Sequence, residues 1–255
     1  MATPIKEKTN KIVSRAEWLA ARKEFLKKEK EFTRLRDELS RQRRELPWVK
    51  VEKAYTFEGP NGLVTLSDLF GARGQLFVYH FMFGPGWEQG CPSCSFLADS
   101  FDAATVHLAQ RDTAFAAVSR ATLPEIEAFK KRMGWRFPWV SSNGTEFNYD
   151  FRVSFTPEEM ASGKPIYNFD TITFPSEEGP GASVFIRRDG QIYHTYSSYA
   201  RGLDILIPTY NMLDMTAKGR DEEGMKPHAM AWVRHHDRYN EGKMVGIESI
   251  IKTLA

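Results

Sequence analysis

Residues 76–101 of this 255-residue chain have the sequence LFVYHFMFGPGWEQGCPSCSFLADSF. The first eight residues are almost continuously apolar, as is typical of a strand buried on both faces of a sheet with parallel neighbours. A loop with glycine and proline follows, and a helix is predicted to begin at Cys91. Both cysteines of the chain, Cys91 and Cys94, lie in this stretch, so it bears on chemistry as well as on fold.

The two cysteines are predicted to have different environments. Apolar residues three, four and seven positions after Cys94 lie on its helix face, so Cys94 begins the buried face. Cys91 lies one turn earlier, at the start of the helix, with Pro92 at the first helical position, where proline is favoured. Free N–H groups and the positive end of the helix dipole stabilise an anion there. We therefore predict a lowered pKa for Cys91 and a shielded, less acidic Cys94.

A reactive thiol beside a shielded one is the arrangement that dithiol–disulfide exchange needs. Cys91 would attack a disulfide and Cys94 would resolve the mixed disulfide. Two alternatives stay open, namely half of a metal site and two neighbouring core cysteines. Zinc needs four ligands, and the six histidines supply no second paired motif, so we predict no metal site. A C-x-x-C at a strand-to-helix transition favours the redox interpretation.

The rest of the chain predicts strands that alternate with helices. The predicted elements are a helix from a capping box at Ser14–Glu17 to about Glu45, strands over 49–57 and 113–119, helices from Cys91 to about Gln110, from Thr122 to Gly134, over 157–161 and over 202–217, and a hairpin over 182–196 that turns at Asp189-Gly190. This order predicts an α/β sheet with crossover helices and one antiparallel edge.

Composition narrows the classes of function. Residues 1–53 carry 16 Lys or Arg against 9 Asp or Glu, but a basic arm alone is weak support for nucleic-acid binding, and we expect no such partner. No apolar run of 18 residues and no signal peptide are visible, so we expect no membrane association and a cytoplasmic protein. The apolar stripe of the N-terminal helix is expected to pack on the rest of the chain, and a homo-oligomer through this helix is the alternative.

Five motifs carry a resemblance to a known family. They are GCPSCSF at 90–96, the Asp99-x-Phe101 that follows it, HLAQRD at 107–112, MGWRFPW at 133–139 and WVRHHDRY at 232–239. The chain resembles domain-of-unknown-function family 899, which is thioredoxin-like and whose members are named as predicted dithiol–disulfide oxidoreductases. The resemblance implies a thioredoxin-like fold, and we expect it to carry the long N-terminal helix predicted above and a C-terminal extension. The expected parts are an arm over 1–47, a thioredoxin-like domain over 48–218 and a strap over 219–255.

The sequence departs from thioredoxins at three positions around the cysteines. Gly90 takes the place of the tryptophan before the first cysteine, Gly181 takes the place of the cis-proline, and His80 stands in the strand where thioredoxins bury an aspartate. We interpret His80 as a core histidine rather than a base for Cys94. The peroxiredoxin pattern P-x-x-x-T-x-x-C is not met. The residues predicted to bind substrate are Trp87, Gly90, Pro92, Ser93 and Gly181.

The segment Arg234-His-His-Asp-Arg238 has two interpretations. His235 or His236 could donate a proton with Asp237 orienting it, but a structural strap anchored by Trp232 is favoured, because adjacent side chains of an extended segment point to opposite faces. The sequence therefore predicts a thiol–disulfide oxidoreductase without a bound cofactor, acting on a protein or small-molecule disulfide or thiol. The alternative is a non-enzymatic redox-sensing or metal-binding module.

Overall fold

The computed structural model describes residues 10–171 and 175–239. The chain divides into two compact units between Pro47 and Trp48. Helix α1 (Arg15–Arg43) lies in the first unit, and the predicted capping box begins it: the Ser14 hydroxyl accepts from the Glu17 N–H, and the Glu17 carboxylate accepts from the Ser14 N–H. The packing of the apolar stripe of α1 on the rest of the chain stays a prediction, and so does the strap boundary at residue 219. Residues 240–255 of the predicted strap lie outside the described residues.

The second unit is built on an eight-stranded mixed sheet. Its strands are β1 (Val49–Lys50), β2 (Thr56–Gly59), β3 (Gly62–Thr65), β4 (Gln75–His80), β5 (Thr113–Ser119), β6 (Trp139–Ser141), β9 (Gly181–Arg188) and β10 (Gln191–Tyr199), and a separate pair is β7 (Ile166–Tyr167) and β8 (Asp170–Thr171). Its α-helices are α2 (Pro92–Ala98), α3 (Phe101–Ala109), α4 (Leu123–Met133), α5 (Phe147–Asp150), α6 (Pro157–Ser162) and α7 (Pro208–Leu213). The strand order in the sheet is β1-β10-β9-β4-β5-β6-β2-β3.

The arrangement around β4 confirms the thioredoxin-like fold. Strand β4 pairs in parallel with β5 through the crossover helices α2 and α3, and on its other side it pairs antiparallel with β9. Strands β9 and β10 form the hairpin at Asp189-Gly190 that the sequence predicts, and α7 follows it. A parallel βαβ unit followed by an antiparallel hairpin on the first strand is the thioredoxin-like order, here with the long helix α1 in front of it.

Two apolar clusters pack on opposite faces of the sheet, because side chains alternate along each strand. Tyr79 and Phe81 face the side that holds α2, α3 and α4, together with Cys94. Leu76 and Val78 face the other side, where they pack with Phe57, Phe147 and neighbouring residues. The dithiol helix therefore lies over the odd-numbered residues of β4.

The predicted helix from Cys91 to Gln110 is wrong as one element, because it is split at Asp99. The Ser100 N–H donates to the Leu97 carbonyl at 3.2 Å, a tighter turn than an α-helix has, and the Ser100 hydroxyl binds the same oxygen at 2.9 Å. The Asp99 carboxylate accepts the Trp135 indole N–H at 2.9 Å. Tertiary contacts at the junction thus override the helical pattern.

Two further predictions need correction. The helix predicted over 202–217 is a 3₁₀ turn (Ala200–Leu206) followed by α7, because Pro208 lacks the N–H that a continuous helix needs and its ring crowds the preceding turn. The single strand predicted over 49–57 is two strands, since β1 pairs with β10 at one edge of the sheet and β2 pairs with β3 and β6 at the other. In the described residues, no helix is both long and apolar enough to cross a membrane.

Candidate dithiol site

Cys91 is the residue that precedes α2, and Pro92 is the first helical residue, as predicted. The Cys91 N–H donates to the Met82 carbonyl at 3.0 Å, and its carbonyl accepts from the Ser95 N–H at 2.9 Å. Cys91 is partly exposed and Cys94 is buried, and the two cysteines are 4.0 Å apart. Nowhere in residues 10–171 and 175–239 do three His, Cys, Asp or Glu side chains gather as metal ligands.

The two thiols have opposite pKa shifts. Interaction with the Cys94 thiol and with the N–H groups of Cys94 and Ser93 lowers the pKa of Cys91 to about 7, although burial opposes the shift. Burial, followed by the nearby Cys91 sulfur, raises the pKa of Cys94 well above its ordinary value. At neutral pH a large fraction of Cys91 is therefore thiolate, while Cys94 keeps its proton.

The Tyr79 hydroxyl lies beside Cys94 and was not anticipated from the sequence. Tyr79 is fully buried, and its hydroxyl has no hydrogen-bond partner among the described residues. Interaction with this hydroxyl lowers the pKa of Cys94, against the larger effect of burial. Burial raises the pKa of Tyr79 itself well above its ordinary value, so the hydroxyl remains a donor. Tyr79, and not His80, is therefore the side chain of β4 that lies beside the second cysteine.

His80 lies on the opposite face of β4 and cannot reach Cys94. Its Nε2 is 2.8 Å from the Ser183 hydroxyl, which in turn is 2.8 Å from that of Ser197. Its ring stacks on Phe151 with 5.7 Å between centroids. Burial lowers the pKa of His80 to about 3, so the imidazole is neutral. His80 is a core histidine, as interpreted from the sequence.

Gly90 is buried, and the packing around it explains why no larger residue precedes Cys91. A Cβ atom on Gly90 would lie 2.6 Å from the Phe81 ring and 2.8 Å from the Phe129 ring, well inside van der Waals contact. The two rings belong to the core cluster under the dithiol. The tryptophan that thioredoxins place here would have no room.

Trp87 lies in the loop between β4 and Cys91, and Gly181 is the first residue of β9. Each is held in place by contacts within the protein. The Trp87 indole N–H donates to the Glu177 carboxylate at 3.2 Å, which ties the loop before Cys91 to the segment before β9. Gly181 pairs with His80 across the sheet and is buried, and a Cβ there would lie 2.9 Å from both Tyr199 and Val153. The substrate-binding roles of Trp87, Gly181 and the partly exposed Ser93 stay predictions.

The C-terminal segment reaches the start of α2 through His235. Its Nε2 is 2.8 Å from the Gly90 carbonyl oxygen, and it must carry the proton because a carbonyl only accepts. The side chain is 2 % exposed, and burial lowers the pKa of His235, which keeps the imidazole neutral. His235 therefore fixes the backbone next to Cys91.

Further contacts fasten the same segment to the helices around the dithiol. The Arg132 guanidinium binds both carboxylate oxygens of Asp237, at 2.8 and 2.9 Å, and also the Gln89 side-chain oxygen at 3.1 Å. The Arg132 guanidinium lowers the pKa of Asp237 to about 2. His236 Nδ1 is 2.7 Å from Asp99 Oδ1. The strap interpretation of this segment thus has direct geometric support, and it brings the segment to the residue before Cys91.

Comparisons with known proteins give one family and several distant structures. A solved structure of the PrxQ of Xylella fastidiosa is 15% identical, with a TM-score of 0.41 over 65% of this chain and 95% of that one. The peroxidoxin BcpB of Mycobacterium tuberculosis is 12% identical, with a TM-score of 0.45 over 66% and 97%. Peroxiredoxin Q of Xanthomonas campestris is 14% identical, with a TM-score of 0.41 over 64% and 98%.

Similarity at these sequence identities and TM-scores carries no conclusion about function. The fold assignment rests on the strand order given above. No curated protein matches the chain. One family description, "Bacterial protein of unknown function (DUF899)", matches residues 7–239, which include the dithiol, the sheet and the segment that carries His235. The chain therefore belongs to the DUF899 family of bacterial proteins.

Proposed function

We propose that this protein is a thiol–disulfide oxidoreductase in which Cys91 attacks and Cys94 resolves. One observation carries the proposal: a partly exposed Cys91 with a pKa lowered to about 7 is 4.0 Å from a buried Cys94 with a raised pKa. A nucleophile near its pKa at neutral pH and a protected second thiol suit two successive exchange steps.

In the first step, the Cys91 thiolate attacks one sulfur of a disulfide RSSR. A Cys91–SR bond forms, the original S–S bond breaks, and the leaving thiolate takes a proton from water. In the second step, Cys94 loses its proton and attacks the Cys91 sulfur, which forms the Cys91–Cys94 disulfide and releases the second thiol. The dithiol has lost two electrons and RSSR has gained them, so no bound cofactor is needed. Thiols of the cytosol, the expected compartment, would reduce the protein again.

Tyr79 would assist the second step. The negative charge that develops on the Cys94 sulfur is buried, which is unfavourable unless it receives a hydrogen bond. The Tyr79 hydroxyl, which has no hydrogen-bond partner among the described residues and interacts with Cys94, would donate that bond. His235 and Gly90 would hold the backbone of Cys91 in place meanwhile.

Two cysteine variants of the full chain test the proposal. With 2-hydroxyethyl disulfide as oxidant, Cys91→Ser is expected to abolish thiol release. Cys94→Ser is expected to complete the first step only, so that one mercaptoethanol adduct on Cys91 accumulates and is seen in the intact mass and in the Cys91 peptide. An adduct on Cys94 in the Cys91→Ser protein, or turnover by Cys94→Ser at the wild-type rate, would contradict the assigned roles.

A further inference from the structure

A cavity of about 500 Å³ lies beside the dithiol and is used by none of the steps above. One side of its wall is formed by Gln89 and Pro92, which flank Gly90 and Cys91 in the chain. The other side is formed by the C-terminal segment, through Trp232, Arg234, His235, Arg238 and Tyr239. The volume falls in the range of pockets for small molecules. A ligand in this cavity would lie next to the residues that carry the attacking thiol.

The lining of the cavity is cationic. Among the described residues that line it are two guanidinium groups and no carboxylate. Arg238 is exposed and forms no ion pair within the described part of the chain. Among the described residues, Arg234 uses only Nη1 for hydrogen bonds to the protein, at 2.8 Å to the Ala231 carbonyl and 3.0 Å to the Val233 carbonyl. By contrast, Arg132 in the same region is neutralised by Asp237. Two guanidinium groups thus remain available to an anion.

The remaining lining offers apolar contact. The Trp232 ring is oriented by a hydrogen bond from its N–H to the Glu222 carboxylate at 2.6 Å and by edge-on packing against Phe96. Tyr239 lies next to it, with 6.3 Å between the ring centroids. Arginine pairs with carboxylates through two parallel hydrogen bonds, and aromatic faces accept short apolar chains. The cavity therefore combines recognition of a carboxylate with contact for the few carbons that link it to sulfur.

We propose that this cavity binds the carboxylate-bearing arm of a small disulfide, so that anionic disulfides are the preferred oxidants of the dithiol. The inference rests on the proposed function and names the substrate class for the same site. The bound arm positions the nearer sulfur of the disulfide for the Cys91 thiolate, and the exchange that follows is the one balanced above. The carboxylate itself takes no part in the electron transfer.

Three small disulfides that differ mainly in terminal charge test the inference. They are 3,3′-dithiodipropionate with two carboxylates, 2-hydroxyethyl disulfide with none, and cystamine with two ammonium groups. The second-order rate of oxidation of the reduced full-length protein is measured for each by acid quench and mass spectrometry. Each rate is divided by that of dithiothreitol with the same disulfide, which removes differences in leaving-group chemistry. We expect the order anionic, neutral, cationic, and an anionic preference that shrinks as salt is added.

Variants of Arg234 and Arg238 test whether these two residues cause the preference for anionic disulfides. Arg234→Gln/Arg238→Gln is expected to reduce the anionic-over-neutral ratio about fivefold, as two exposed ion pairs allow, because the anionic rate falls more than the neutral rate. Arg238→Gln alone is a second probe, because the Arg238 side chain forms no hydrogen bond or ion pair within the part of the chain that the structure describes. Arg111→Gln is the matched control, because Arg111 is exposed and precedes β5, at the end of the sheet opposite to the dithiol.

The possible results separate the two proposals. Equal normalised rates for the three disulfides, or an anionic preference that survives the double substitution, would overturn the inference and leave the proposed function standing. Failure of all three disulfides to oxidise Cys91 would overturn the proposed function and the inference together. A preference lost equally in Arg111→Gln would assign the effect to overall charge and would also overturn the inference.

Discussion

Replacement of Tyr79 by phenylalanine removes one hydroxyl and nothing else from the buried side of the dithiol. A hydrogen bond to a charged group contributes about 1.5 to 3 kcal/mol, which corresponds to about one to two pKa units. In Tyr79→Phe the pKa of Cys94 is therefore expected to rise by that amount above its already raised value. The free energy of unfolding should change little or increase slightly, because the lost hydroxyl has no oxygen or nitrogen partner among the described residues.

The kinetic effect follows from the thiolate fraction of Cys94. Each unit of pKa lowers that fraction about tenfold, but the more basic thiolate is a better nucleophile, with a Brønsted coefficient of about 0.4 to 0.5. The resolving step should therefore slow by about threefold to fifteenfold. Single-turnover oxidation by 2-hydroxyethyl disulfide, quenched with acid and analysed by mass, should show more Cys91 mixed disulfide in Tyr79→Phe than in the wild type.

Tyr55→Phe provides the matched control, because Tyr55 packs on the opposite face of the sheet and donates to the Asp150 carboxylate at 2.7 Å. It should lose about 1 kcal/mol of stability in urea unfolding and resolve the mixed disulfide at the wild-type rate. The two variants thus predict opposite patterns of stability and kinetics. A resolving rate in Tyr79→Phe within error of the wild type would refute the role of this hydroxyl.

Two further predictions concern the buried residues Gly90 and Glu178. Gly90→Ala should destabilise the protein by about 2 kcal/mol in urea unfolding, because its Cβ meets the Phe81 and Phe129 rings, and an unchanged midpoint would contradict the packing described. Burial raises the pKa of Glu178 to about 7, even though Arg120 acts against the shift. Between about pH 4.5 and 7 the folded state keeps a proton that the unfolded chain has lost, so stability should fall by about 3 kcal/mol as pH rises, and Glu178→Gln should remove this slope.

Local patterns in the sequence are enough to predict several helices and strands, and to predict which thiol lies at the helix start and which is buried. The capping box at Thr122 and the glycine at 134 bound α4, and the Asp189-Gly190 dipeptide turns the hairpin, because each acts through contacts within a few residues. Pro92 and the apolar positions after Cys94 place the attacking thiol at the helix start and the other in the core for the same reason.

Features that depend on distant residues were not predictable in this way. The break at Asp99 depends on Trp135, and the need for glycine at 90 depends on Phe129, residues that approach only in the folded chain. Tyr79, rather than the His80 considered from the sequence, lies beside Cys94, and strand alternation offers a signal for it. Once α2 is placed over the Phe81 face, Tyr79 must share that face and His80 must point away.

A measurement of the pKa of the Cys91 thiol is the most direct test of the central claim, that Cys91 is the attacking thiol. Iodoacetamide alkylation of the reduced full-length protein is followed against pH, and the two cysteines are separated as labelled peptides. The structure predicts that the alkylation rate of Cys91 rises with a midpoint near 7, while Cys94 stays unreactive until far higher pH. A Cys91 midpoint at the ordinary value of about 8.5, or a Cys94 that ionises first, would contradict the assignment of Cys91 as the attacking thiol.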